Sequence, residues 1–498
     1  MKLANIGIAM LGDERKSVME RLKDACMERL NRLAEIIRKQ VRYRDGSSPE
    51  VITSPKIISS IKDSKEVGEY FVENKVKILI IQYYIWDYPY LVWPLVNIVG
   101  KDKPILNVSN NEGEYPGNVG LLATDGALRQ SGLRTHRIIG DIEDPKIQEE
   151  IVRWVKAAEA YVSLRGQVYG MYGGHSMGME TGFFHLVPIQ RTLGITVYQI
   201  DQLLLEKEME KVDENEVEKG FKWLSEMLGD RIKYDGKMLT PEKLKAQIRL
   251  YLAMKKINEE YGFDFCGIKG QREFTEHVVI TDVAEMLMND PYDWNGPKEP
   301  FVCATEADSL GAITMQILKY IGGGMPVLFA DVRLYVPEKD IWIFANSGNH
   351  PSWYAALSDD PKENFRKVTL HPAIEMYFPA GGASVEFDAA PCEMTFARLG
   401  LYGDKLYMVI VRGKSIDLPE VEREKLRQQT NPTWPHMYVK LDASYEEFIN
   451  VFPANHIHGI PGDHVKSLVY FCEIAGIKPI VLGKAAKEIS KPLWEMVE

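Results

Sequence analysis

Short apolar runs alternate with amphipathic stretches along the first third of the chain, the pattern of a parallel sheet covered by helices on both faces. Ile6 to Leu11 reads as a strand. Glu14 to Lys39 then places Val18, Leu22, Ala25, Leu30, Leu33 and Ile37 at helical spacing, and further strands are expected at Val51 to Ser54, Val76 to Tyr83 and Pro104 to Val108. Asp144 caps a helix with Pro145 at its first position, running to about Glu159. The glycine-rich stretch from Gly166 to Glu180 reads as a junction or a binding loop. Residues 1–165 are therefore expected to form an N-terminal, doubly wound α/β domain.

The alternation resumes with strands at Ile195 to Ile200, Phe263 to Ile268, Phe301 to Thr305 and Val327 to Ala330. Helices are expected at Pro241 to Tyr261, around Glu276 to Asn289, and from Ser309 to Tyr320. This gives a second doubly wound α/β domain over residues 166–336. Beyond it the rhythm changes to strands joined by tight turns, as in Met394 to Leu401, Tyr402-Gly403-Asp404-Lys405 and Leu406 to Val411. Residues 337–498 read as a β-rich, barrel-like C-terminal domain. The fold class is α/β throughout the first two domains.

A chain of 498 residues exceeds one ordinary core, so a cleft between domains is available. With 45% hydrophobic and 26% charged residues, the composition is that of a globular protein. The net charge of −11 argues against a phosphate-backbone partner, so no nucleic acid is expected. No run approaches the roughly 18 uncharged apolar residues of a membrane span, and the N-terminus lacks the apolar core of an export signal; the expectation is a cytoplasmic protein with no membrane partner. Cys26, Cys266, Cys303, Cys392 and Cys472 are scattered without metal-knuckle spacing, which reads as free thiols.

Chemistry concentrates in FVCATEADSLGA and PVLFADVRLY, two apolar runs that each end in an acid, Glu306 and Asp331. They are separated by the length of one strand-helix-strand crossover. If the two strands are neighbours, at ~4.8 Å, both carboxylates sit at the carboxyl edge of a parallel sheet, where open α/β folds bind ligands. Acids that close repel unless one is protonated or a cation bridges them. The plainer reading makes Glu306 an acid beside a helix N-terminus, with Asp308 or Ser309 as cap, and pairs Asp331 with Arg333. Phe452 to His464, FPANHIHGIPGDH, offers His456 and His458 on one face if extended, with His464 beyond. Imidazole plus two carboxylates suits Mn²⁺, and is open to Co²⁺, Fe²⁺ or Zn²⁺. Neither a dinucleotide-binding glycine fingerprint nor a phosphate-cradling loop is present, and Gly322-Gly323-Gly324 precedes a strand rather than a helix.

CATEADSLGA around Glu306, LFADVR around Asp331, ANH ending at His456 and GIKGQRE from Gly267 to Glu273 resemble the L-fucose isomerases, within the wider L-fucose and L-arabinose isomerase superfamily. Weaker echoes are Gly12-Asp13-Glu14-Arg15, Tyr115-Pro116-Gly117, Ser176-Met177-Gly178 and Thr433-Trp434-Pro435, spread in order over almost the full length. The resemblance implies Mn²⁺, with Co²⁺ among other possible divalent cations, held by Glu306, Asp331 and His456 between the last two domains. It implies sugar contacts from Arg15, Trp86, Met177, Gln271, Trp434 and Asn455. It also implies a homo-oligomer, a hexamer, in which Trp86 would act across a subunit interface. His350 is a candidate fourth ligand by analogy with the arabinose isomerase branch.

The implied function is aldose-ketose isomerisation of a monosaccharide through a metal-stabilised enediol, with Glu306 and Asp331 as base and acid. L-Fucose, D-arabinose and L-arabinose are candidate substrates, as is a modified sugar whose anionic group meets Arg15, Lys269 or Arg272. The competing readings are a non-catalytic sugar-binding protein and a related metal-dependent epimerase or aldolase.

Overall fold

The first apolar runs form a five-stranded parallel sheet from β1 (Asn5–Leu11), β2 (Val51–Thr53), β3 (Val76–Tyr83), β4 (Ile105–Ser109) and β5 (Thr135–Ile139), in the order β2-β1-β3-β4-β5. The inner strands β3 and β4, buried on both faces, carry mostly apolar residues, as such parallel strands do. The helix Lys16–Gln40 buries Leu22, Cys26, Leu30, Leu33 and Ile37. The helix expected to end near Glu159 continues to Leu164.

The computed structural model describes residues 3–111, 114–347 and 350–489. They divide into two units, one holding the chain up to Ser163 with Lys466–Gly476, the other Leu164–Val465 with the chain from Ile477. The first unit thus borrows a helix from far along the chain. Val465–Ala475 packs Tyr470 and Ile474 into that unit's core, while Lys466 pairs with Glu150 at 2.7 Å and Glu473 meets His136 at 2.8 Å.

The second unit opens with β6 (Val168–Tyr172), inside the glycine-rich stretch, β7 (Thr196–Ile200) and β8 (Phe265–Ile268). The helix Pro241–Tyr261 has the expected bounds, because Thr240 caps it, Pro241 occupies its first turn and Gly262 leaves it in the left-handed conformation. The helix expected around Glu276 to Asn289 is two helices, Glu273–His277 and Asp282–Asn289. A short hairpin, β9 (Tyr292–Asp293) and β10 (Gly296–Pro297), precedes β11 (Cys303–Thr305), and a four-stranded parallel sheet runs β11-β8-β6-β7.

After the helix Ser309–Ile321 the chain enters a second, mixed sheet. Its strands begin with β12 (Leu328–Val336) and β13 (Ile341–Ala345); a separate antiparallel pair, β14 (Thr369–Pro372) and β15 (Ala383–Glu386), follows. Then come β16 (Glu393–Tyr402), β17 (Lys405–Ser415), β18 (His436–Leu441), β19 (His456–Pro461) and β20 (Lys478–Val481), in the order β16-β19-β12-β13-β18-β17-β20. Because β16 also pairs with β17, six of the strands close on themselves like a barrel. The β16-β17 hairpin turns at Gly403-Asp404, with Gly403 at φ 62°.

One expectation fails. β11 and β12 are not neighbours in one parallel sheet: β11 lies at the edge of the parallel sheet beside β8, and β12 lies within the mixed sheet between β19 and β13. The two acids therefore stand at the ends of strands from different sheets. Among the described residues, no helix is long and apolar enough to cross a membrane.

Candidate active site

Glu306 is presented by a strained turn. β11 ends at Thr305, and Glu306 and Ala307 follow with φ of 57° and 51°, a left-handed pair without a glycine. Such residues cost on the order of 1–3 kcal/mol each unless their surroundings impose them. Here the Ala307 N–H donates to the Ile268 carbonyl at 2.9 Å, Tyr169 Oη donates to the Ala307 carbonyl at 3.1 Å, and Asp308 caps the next helix by accepting from Gly311 N at 2.8 Å. After this turn the Glu306 carboxylate stands beside His456, at the start of β19.

Asp331 and His456 are placed by register instead. They face each other across the antiparallel β12-β19 pair, where directly opposed Cβ atoms stand ~4.5–5.5 Å apart. Asp331 Oδ1 lies 3.4 Å from His456 Nε2, and Glu306 Oε2 lies 3.1 Å from the same nitrogen. His456 Nδ1 meets Asp308 Oδ2 at 2.7 Å. Asp308 in turn accepts two bonds from Arg398 on β16, at 2.5 and 3.0 Å, with both side chains buried. Phe329 packs its ring 4.5 Å from that of His456, fixing the imidazole's remaining face.

Charge and burial set the protonation of this cluster. Burial alone would raise the Asp308 carboxyl, but Arg398 and His456 outweigh it and hold it well below the carboxylate range. Burial would depress His456, but Asp308 and the two site carboxylates prevail and lift it to about 10. Asp331 is pushed up by burial and, in the same direction, by Glu306, against the pull of His456. An imidazolium here supplies the positive charge that two acids at one point require.

The donor set fits a divalent cation. With Nδ1 committed to Asp308, the imidazole's free position is Nε2, which is buried, makes no aligned hydrogen bond and points between two carboxylates. A carboxylate behind a ligating histidine is the usual way such a ring is oriented. Among the described residues no set of three His, Cys, Asp or Glu donors is already spread around a metal position; these three close directly on one another, with protonated His456 as the cation between them.

Glu306 and Asp331 line a cavity of about 310 Å³ together with Met177, Gln271, Trp434 and Arg333. Ser176 holds the Gln271 carbonyl at 3.0 Å, and Met177 adopts φ 46°. Asn455 Nδ2 lies 3.4 Å from Asp331 Oδ1, so its amide faces the acid pair. Trp434 is buried beneath the Arg333 guanidinium, 5.2 Å from the ring centre. Arg15 and Trp86 belong to the first unit: Arg15 is clamped on buried Asp13 at 2.9 Å, and Trp86 packs against Tyr88.

The other histidines are engaged elsewhere or lie apart. His458 Nε2 accepts from Arg398 at 3.0 Å, and burial and Arg398 keep it neutral. His464 Nε2 meets the Pro461 carbonyl at 3.0 Å. His350 is fully buried, pushed down to about 3 by burial, and is not among the cavity residues. Lys269 pairs with Glu273 and Arg272 with Glu276, and neither lines the cavity; its cation is Arg333. Asp308, Arg398, Arg333, Asp282 and Ser347 were not singled out as functional residues by sequence reasoning. A visible signal existed for Arg398, the one charge within Met394–Leu401 of β16.

Three models of one family match the chain in order: L-fucose isomerase, first N-terminal domain, over residues 3–166; second N-terminal domain, over 252–323; and C-terminal domain, over 344–482. The L-fucose isomerase of Vibrio vulnificus is 26% identical over 87% of this chain and 84% of its own length. That of Haemophilus influenzae is 25% identical over 86% and 83%, and that of Salmonella arizonae 27% over 87% and 84%. Glu306 falls inside the second model, and His456 inside the third. With the three models following one another along most of its length, this chain belongs to the L-fucose isomerase family.

Proposed function

We propose that the protein is a metal-dependent aldose-ketose isomerase acting on a monosaccharide, with Glu306, Asp331 and His456 holding the cation. The carrying observation is His456, anchored at Nδ1 by Asp308 and presenting Nε2 between Glu306 and Asp331, which both line the cavity. Mn²⁺ suits this mixed set, with Co²⁺ as the alternative.

Isomerisation moves one proton from C2 to C1 and another from the C2 oxygen to the C1 oxygen. A divalent cation held by Glu306, Asp331 and His456 would supply Lewis acidity. Glu306 and Asp331 do the proton work: one carboxylate removes the carbon-bound proton and returns it to the adjacent carbon, while the other manages the proton between the oxygens, the roles reversing with direction. The strained turn keeps Glu306 from relaxing away, and the β12-β19 ladder keeps Asp331 in register with His456. Gln271 and Asn455 bind hydroxyls, and the buried Trp434 gives a C–H face an apolar wall. By the same reading the enzyme is a cytoplasmic homo-hexamer, with Arg15 and Trp86 as further sugar contacts, Trp86 across a subunit interface; light scattering tests the hexamer.

The test is a panel of aldoses, including L-fucose, D-arabinose and L-arabinose, incubated with chelator-stripped protein and again after Mn²⁺ is restored. Ketose should form only in the second case. Full turnover by stripped protein sinks the metal dependence, and an epimer or cleavage product in place of ketose sinks the isomerase assignment.

A further inference from the structure

Asp282 shares the cavity with Glu306 and Asp331, yet the proton transfers give it no task. It stands at the first position of the helix Asp282–Asn289 and is 2% exposed. Its carboxyl receives the Ser347 hydroxyl, 3.0 Å from one oxygen and 2.9 Å from the other, and the Ser384 hydroxyl and its own N–H also favour the ionised form. Each of these neutral donors has one proton to give, whereas a carboxylate offers about four acceptor positions. Among the described residues no Lys, Arg or His nitrogen lies within ion-pair distance of it.

Its surroundings oppose rather than balance a charge. Glu285, one helical turn on, is fully buried, and burial first and then Asp282 hold its carboxyl above the ordinary range. Burial likewise pushes Asp282 up to about 7. Arg333, the cation of the cavity, already bonds Asn431 at 2.7 Å and lies over Trp434. Burying a carboxyl with so few donors is costly, and helix capping does not require it, since an asparagine of the same shape would serve there. The missing donors can arrive with a ligand, and a sugar carries a hydroxyl on successive carbons.

We infer that Asp282 is a specificity-determining residue, accepting the hydrogen bond of a substrate hydroxyl beyond the C1–C2 pair and disfavouring a carboxylate or phosphate at that position. This rests on the reading of the cavity as the isomerase's sugar site. Losing a hydrogen bond to this buried acceptor should cost roughly 10- to 100-fold in kcat/KM.

The experiment compares wild type, Asp282→Ala and Asp282→Asn, each Mn²⁺-loaded and checked for folding by circular dichroism, on the best aldose and on its analogues deoxygenated singly at C3, C4 or C5. The expected result is a KM rise of roughly 10- to 100-fold for Asp282→Ala, a smaller rise for Asp282→Asn, and kcat within about threefold of wild type. For the analogue lacking the contacted hydroxyl, the penalty should shrink to about twofold or less, because wild type has already lost that bond. An equal penalty on every analogue marks a structural residue and overturns the inference, as does no penalty at all. If Asp282→Ala does not fold, Asp282→Asn decides by the same pattern. Wild type that isomerises no aldose overturns the isomerase reading and this inference together, whereas active wild type with an indifferent variant overturns the inference alone.

Discussion

Asp125 in the first unit and the Glu306-Asp331 pair in the second are all acids withdrawn from water, and they differ in what the fold supplies to meet them. Asp125 is fully buried and receives Arg129, Arg137, Asn107 and Thr135, so that both oxygens are answered from within the unit. Glu306 and Asp331 converge on one imidazole nitrogen; the second Asp331 oxygen has Asn346 at 3.2 Å and Arg333 only at 3.9 Å, and Arg398, bonded to the carboxylate behind the imidazole, is spent on Asp308. The first unit also shows another way to bury an acid: Glu159 makes no ion pair, and burial outweighs the pull of Lys77 and holds it neutral, up to about 8. A carboxylate answered by its own arginines, or silenced by protonation, serves the fold. One left with a surplus of negative charge at a cavity wall is arranged for something that comes from outside.

That contrast can be broken most directly by neutralising the acids. Glu306→Gln and Asp331→Asn should each lower kcat by about 10²- to 10⁴-fold, with thermal stability unchanged or higher because a repulsion is relieved. Asp125→Asn should do the opposite, losing about 2 kcal/mol of stability as two arginines lose their carboxylate. Equal destabilisation at all three positions would show that the site acids are structural after all. Next in size is Asp308→Ala, which strands Arg398 in the interior and frees His456 Nδ1. Urea unfolding should show a loss of about 3–5 kcal/mol, and Mn²⁺ titration by calorimetry about 10- to 100-fold weaker binding. Retained affinity would mean that His456 does not need Asp308 to present Nε2.

Local signals carried far along this chain. Thr240, Pro241 and Gly262 delimit their helix, and Gly403-Asp404 marks its hairpin, because caps and tight turns are decided by residues within a few positions. The pairing of Glu306 with Asp331 was legible, but its cause was not. The expected reason was neighbouring parallel strands; the actual link is His456, more than a hundred residues on, opposite Asp331 in another sheet. Which sheet a strand joins is a long-range choice that an apolar run such as Leu328–Ala330 does not encode. Asp308 was visible only as a helix cap, although its second oxygen carries the imidazole, since the partner Arg398 enters from β16. Likewise the tail helix of the first unit has an amphipathic pattern but no mark of the sheet it returns to.

Glu159 sharpens the comparison through pH. Its Oε2 accepts the Ala4 N–H at 3.0 Å and its other oxygen has no partner, so the folded unit keeps the proton that the unfolded chain releases near 4.5. Where the unfolded state binds fewer protons, stability falls as pH rises. This contribution should therefore be absent below about 4.5, grow through the window up to about 8, and reach a loss of about 4–5 kcal/mol there. Glu159→Gln should flatten that slope in denaturation curves taken from pH 5 to 8. A slope that survives the substitution would assign the pH dependence to another group, and would remove Glu159 as the example of a silenced acid.

The smallest effect concerns the turn that carries Glu306. Ala307 sits at φ 51° and is 3% exposed. Glycine there gains about 1 kcal/mol by escaping left-handed strain, and loses a similar amount through unfolded-chain entropy and the missing methyl. Ala307→Gly should thus unfold within about 0.5 kcal/mol of wild type, whereas the same change at a regular buried position costs 1 kcal/mol or more. Catalysis should respond differently, because a glycine beside Glu306 lets the peptide leave the conformation that holds the carboxylate against His456. A several-fold fall in kcat at unchanged stability would place the strain in the service of the acid pair. A stability loss above about 1 kcal/mol with kcat intact would make the turn a packing feature, no different in kind from the self-sufficient cluster around Asp125.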